Sequence, residues 1–75
     1  MEQETLPKQI GHLVRRLRTQ AGFSQEQFAF TCGLHRTYMG AIERGEKTIS
    51  VETANKLAKA LGLSLAELFQ KLEDE

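Results

Sequence analysis

The sequence predicts an all-α fold: a compact five-helix bundle in one domain covering residues 1–75, with its core between residues 6 and 72. Three observations carry this. Apolar residues recur at intervals of three and four rather than two, the period of a helix buried along one side. Glycines follow the apolar runs at Gly22, Gly33, Gly45 and Gly62, where a left-handed residue closes a helix. Ser24 stands three before Gln27, and Ser64 three before Glu67, the spacing at which a cap and its reciprocal partner open one.

The elements follow in order. The first helix spans Leu6 to Gln20. Pro7 suits its first turn, where a missing N–H is no loss, and Ile10, Leu13, Val14 and Leu17 form its inner stripe. Ser24 opens a second helix over Gln25 to Cys32, with Phe28, Ala29 and Cys32 on the buried face. Gly33 permits a left-handed turn in which a side chain would clash, and Leu34 packs inward at the corner. The third helix runs from Arg36 to Arg44, with His35 at its cap and Met39 and Ile42 as its core pair. The loop "GEKTIS" is polar, anchored by Ile49. Ser50 caps a fourth helix, Val51 to Leu61, whose inner stripe reads Val51, Ala54, Leu57, Ala58 and Leu61. The last helix, Leu65 to Leu72, carries Leu65, Leu68, Phe69 and Leu72, and the tail "EDE" is expected to fray.

Composition removes several classes of function. A chain of 75 residues buries only about 60% of its unfolded surface, so a small domain leans on tight packing, a cross-link or a partner. Cys32 is the single cysteine, so no internal disulfide forms, and two histidines beside it do not make a zinc site. No metal, cofactor or small-molecule ligand is expected. Neither is catalysis, since no nucleophile–base pair or phosphate-cradling glycine loop is present. One reduced cysteine and a polar, acidic start, "MEQETLPKQ", point to a cytoplasmic chain without a secretory signal. No apolar run is long enough to span a membrane.

Net charge is zero, which argues against a polyanion partner, but its distribution argues the other way. Lys8, Arg15, Arg16, Arg18, Arg36, Arg44 and Lys47 face only Glu26, Glu43 and Glu46 between residues 8 and 48, whereas acids outnumber lysines from Val51 onward. A polyanion meets the local field.

Residues 24–44 have the spacing of two helices crossing steeply about a short turn, a helix-turn-helix. The start of the second helix then projects from the surface. Arg36 offers a two-pronged donor to guanine O6 and N7. Thr37 reaches a base edge, a phosphate or a thymine methyl, and Tyr38 donates to a phosphate while its ring packs on sugar. Gly40 and Ala41 are small enough to let the backbone approach a duplex, which places Ala41 with Arg36 and Thr37 among the base-reading positions. Gln25 begins the preceding helix, where its amide and the free backbone N–H groups can hold a phosphate. Arg44, Lys47 and Thr48 can clamp another; such contacts fix register without reading sequence. The plainer reading makes Arg36 and Thr37 a solvated helix start, Tyr38 partly core, His35 a cap and Arg15 and Arg16 a solvated face.

The stretch "LRTQAGFSQEQFAFTCGLHRTYMGAIERGEKTISVETANKLAKALGLSLAEL" resembles the Cro/phage-repressor type of helix-turn-helix domain, the XRE family with a lambda-repressor-like fold. The likeness covers Ile10 to Phe69 and is spread over several elements ("SQEQFA", then "GL", "IERG" and "LAKALGLSLAEL"). Within that family, "GLHRTYMGAIERG…IS" resembles the controller proteins of restriction–modification systems. The resemblance implies a homodimer on palindromic double-stranded DNA operators that regulates its own gene and an endonuclease gene, with RNA polymerase as a partner where it activates and the nucleoid as its location. It implies phosphate contact for Gln25, base reading for Arg36 and Thr37, and backbone contact for Tyr38 and the loop after Gly45. It also implies that Arg18 pairs with Glu43; next to a core isoleucine, Glu43 would be costly without a partner. His35 departs from the better caps common in relatives, and Gly40 and Ala41 stand where some repressors carry longer polar readers.

The chain carries more apolar groups than 75 residues bury with ease. Leu65, Leu68, Phe69 and Leu72 are therefore expected at a two-fold interface, which would set two reading helices about 34 Å apart. The alternative is that the stripe folds back on the first helix. The rival function is a protein-interaction module, such as an antitoxin that grips a partner through the last helix.

Overall fold

A computed structural model describes residues 4–75, and the first three residues of the polar start lie outside them. Five helices follow one another: α1 (Leu6–Gln20), α2 (Gln25–Cys32), α3 (Arg36–Glu43), α4 (Val51–Ala60) and α5 (Leu65–Glu73). No strand occurs among the described residues.

Each helix is opened by a side chain that accepts from its own first turn. The caps are Thr5, Ser24, His35, Ser50 and Ser64, and at Ser24 and Ser64 the reciprocal bond from the N-cap N–H to Gln27 and Glu67 completes a capping box. Caps matter here because short helices supply little stability of their own. Gly33 sits at φ 71° and ψ 30°, and the Leu34 N–H donates to the Ala29 carbonyl at 2.9 Å. The chain therefore turns between α2 and α3 within three residues, and α3 packs against α2.

α1 packs on α3 and α5, α2 on α3 and α4, and α4 on α5. Neighbouring residues of α1 feed two parts of the core. Val14 joins Phe28, Ala29, Cys32, Met39 and Leu57, while Leu13 joins Ala54, Ala58 and Leu68. Phe23 caps the first group, its ring 5.3 Å from that of Phe28 at a tilted 49°. α1 also crosses α3 closely at Gly11, where an added Cβ would lie 2.5 Å from the Ile42 carbonyl oxygen. Only a residue without a side chain fits that crossing.

Four expectations need correction. Val51 is 68% exposed, because the first residue of α4 lies ahead of the helix's buried stripe; Ile49, from the preceding loop, packs against both parts of the core instead. Leu68 is 2% exposed and belongs to the core of a single chain, held by Leu13, Ala54 and Ala58, so it is not an interface residue. The tail does not fray: α5 continues to Glu73 with Asp74 as its cap, and Arg16 of α1 binds the Glu75 carboxylate. α3 and α4 each end one residue early, at Glu43 and Ala60.

Candidate nucleic-acid interface

The exposed turn that opens α3 is built by its cap. His35 Nδ1 accepts the Thr37 N–H at 3.1 Å, which requires that nitrogen to carry no proton. The His35 carbonyl receives the Met39 N–H at 3.0 Å, and α3 winds from there. Met39 and Ile42 turn into the core and leave Arg36 and Thr37 exposed. Tyr38 is half-buried, as suits a ring that packs while its hydroxyl stays wet.

The far end of α3 is fastened from behind. Glu43 is 8% exposed. Its carboxylate accepts from Arg18 Nε at 2.6 Å and Nη2 at 3.0 Å, and from Gln25 Nε2 at 3.2 Å. Arg18 also donates to the Phe23 carbonyl at 2.9 Å. One of the two Gln25 amide protons is thus engaged within the fold, by Glu43.

The exposed face of α3 holds a shallow depression of about 300 Å³ lined by Gln25, Arg36, Thr37, Gly40 and Arg44. Gly40, not Ala41, lies at its floor. Ala41 is 7% exposed, and its placement among the base-reading positions is corrected accordingly: the methyl is turned away from solvent and can touch no base edge. A Cβ on Gly40 would meet Arg44 Nη1 at 3.0 Å and Gln25 Oε1 at 3.4 Å. The Arg44 side chain therefore reaches back across Gly40 along the face of α3.

Two acidic residues attend these arginines. Glu26 approaches Arg36 Nη1 at 3.5 Å with both side chains open to water, a contact of little energetic weight. Glu46 binds Arg44 more tightly, with its carboxylate accepting from Nε at 2.8 Å and Nη2 at 3.3 Å. That hydrogen bond raises the pKa of Arg44 and lowers that of Glu46. Lys47 and Thr48 follow on the exposed loop. Sequence spacing could have suggested the Glu46 contact, two residues from Arg44, but only the fold shows which edge of the guanidinium it takes.

On α5, Phe69 is 38% exposed and Leu65 and Leu72 are half-buried. Among the described residues no helix is long and apolar enough to cross a membrane.

The geometry agrees with comparison to known proteins. A family model described as helix-turn-helix matches residues 14–68. The control protein C.BamHI of Bacillus amyloliquefaciens is 44% identical over 60 residues, covering 79% of this chain and 74% of that protein. The crystal structure of the restriction-modification controller protein C.AhdI from Aeromonas hydrophila shares 44% identity with a TM-score of 0.79, over 84% of this chain and 96% of that one. C.Esp1396I bound to a 25 base pair operator site superimposes with a TM-score of 0.85 at 25% identity, over 96% of this chain and 95% of that one.

Proposed function

The chain belongs to the helix-turn-helix family of DNA-binding transcriptional regulators, and from that premise we propose that it is a homodimeric controller protein of a restriction–modification system. It binds palindromic operators upstream of its own gene and of an endonuclease gene. The observation that supports this reading best is the selective exposure of α3: its first turn stands free at Arg36 and Thr37 while Met39 and Ile42 are buried and Glu43 is fastened from behind.

Arg36 takes the O6 and N7 edge of a guanine through its fork, and Thr37 takes a neighbouring edge or a thymine methyl. The unused amide proton of Gln25, the N–H groups opening α2, the Tyr38 hydroxyl, and Lys47 and Thr48 hold phosphates on either side and set the register. Gly40, itself buried beneath the Arg44 side chain, leaves room for that guanidinium on the exposed face of α3. The exposed parts of Leu65, Phe69 and Leu72 are covered by a second copy, and RNA polymerase is the further partner where the bound site favours transcription.

A footprint of the purified protein on the region upstream of its own gene tests the reading. Two protected half-sites, about 34 Å apart, and an affinity that falls steeply with salt are expected. No protection there, together with an affinity indifferent to salt, overturns it.

A further inference from the structure

We propose that Arg44 is a base-reading residue, aimed by Glu46 and admitted to the groove face by the missing side chain of Gly40, with the O6 and N7 edge of a guanine as its target. This rests on the reading of α3 as the groove helix, and it departs from the expectation that Arg44 grips a phosphate.

A guanidinium has five N–H donors. Glu46 occupies the side edge, Nε and Nη2, in a pair whose two side chains are both more than half exposed; it orients the plane of the group without locking it. The end edge, formed by Nη1 and the second Nη2 proton, keeps two parallel donors. That fork borders the depression it shares with Gln25, Arg36 and Thr37. It is the same pattern that matches guanine in a major groove. A phosphate needs only a nearby cation on a flexible stem, whereas an arginine oriented by its side edge is prepared for a planar, directional acceptor.

Position supports this as well. Arg36, Gly40 and Arg44 recur every four residues and share one face of α3. Because Arg44 folds back over Gly40, its tip lies at the level of Gly40, about one turn or 6 Å along the axis from Arg36. A base-pair step rises about 3.4 Å, so the second guanine is expected within about two base pairs of the one read by Arg36. A Cβ at position 40 would press on Arg44 Nη1 at 3.0 Å and push the guanidinium off its present position.

Selection from a pool of random duplexes tests this with the full chain and its variants. The wild-type protein is expected to enrich a two-fold motif with two guanines per half-site near the position of Arg36. Arg44→Ala is expected to lose discrimination at one of them by about tenfold while the rest of the motif survives. Arg44→Lys, which keeps the charge but not the fork, does not restore it. Gly40→Ala folds and melts no lower than wild type, since the crowded neighbour is a flexible side-chain end, yet it loses the same guanine. Glu46→Gln weakens the preference less than Arg44→Ala. If Arg44→Ala lowers affinity equally for every duplex and leaves the motif unchanged, Arg44 is a phosphate contact and the proposal fails. If both affinity and motif are unchanged, it fails too. Enrichment of no motif by the wild-type chain overturns the function itself, a result distinct from either.

Discussion

Arg18 grips Glu43 side-on, Nε at 2.6 Å and Nη2 at 3.0 Å, with both side chains almost entirely out of water. The pair joins the middle of the bundle to the back of the groove helix, and Gln25 adds a third donor from α2. Among the described residues no buried side-chain donor or acceptor is left without a partner. Such a pair gains little over a well-packed apolar one, but breaking it strands a charge.

Glu43→Ala is therefore expected to cost about 3–5 kcal/mol in urea unfolding at neutral pH, because the Arg18 guanidinium is left buried without a counter-charge. Arg18→Met combined with Glu43→Leu is expected to recover much of that loss. A single-variant loss below about 1 kcal/mol, the range of an exposed pair, would show that the pair is solvated.

Arg36→Ala is expected to weaken operator binding by about 1–3 kcal/mol and to flatten the ratio of cognate to scrambled affinity. Gln25→Ala, which removes the proposed phosphate contact and a brace on Glu43, is expected to weaken all duplexes alike. Titrations of both variants on both duplexes check this; equal losses for Arg36→Ala on cognate and scrambled DNA would remove it from base reading.

Phe69→Asp is expected to give a folded monomer in sedimentation equilibrium at concentrations where the wild-type chain is dimeric. A two-fold axis would set the new charge against its own copy. Leu68→Asp, one residue away, is expected to unfold the chain instead, since Leu68 is 2% exposed and a carboxylate there has no partner. A dimer that survives Phe69→Asp would place the interface elsewhere.

Burial pushes the Cys32 thiol from 9.0 up to about 11. The raised value means that the folded state holds its proton where the unfolded chain has lost it. Its contribution is complete below about pH 9 and disappears as the pH rises through about 11. The stability difference between wild type and Cys32→Ala is expected to shrink by about 2–3 kcal/mol across that interval. A difference constant with pH in denaturant titrations would contradict this.

The helices were legible because their signals are local. The two capping boxes, the glycine at each turn and the three–four spacing of apolar residues all act within a few positions, and every helix begins where they indicate. What escaped was decided across the chain. Val51 fits the stripe of α4 by periodicity, but Ile49 takes the inward place. Leu68 and Phe69 look alike in sequence, and only the packing of α5 on α1 and α4 separates a core residue from an exposed one. Gly40 and Ala41 are equally small and both buried, yet Gly40 lines the depression beneath Arg44 whereas Ala41 does not. The likeness to known regulators pointed to Arg18 and Glu43, but the part played by Gln25 in their network depends on the angle at which α2 meets α3.

The crossing at Gly11 makes α1 a spacer of fixed thickness between the groove helix on one side and α5 on the other. A methyl group there would sit 2.5 Å from the Ile42 oxygen, against ordinary contact from 3.4 Å, and would wedge α3 outward by close to an ångström. In the two-fold assembly proposed above such a shift would be felt twice, so the distance between the two halves of the recognised DNA would be calibrated by a carbon atom that α1 leaves out.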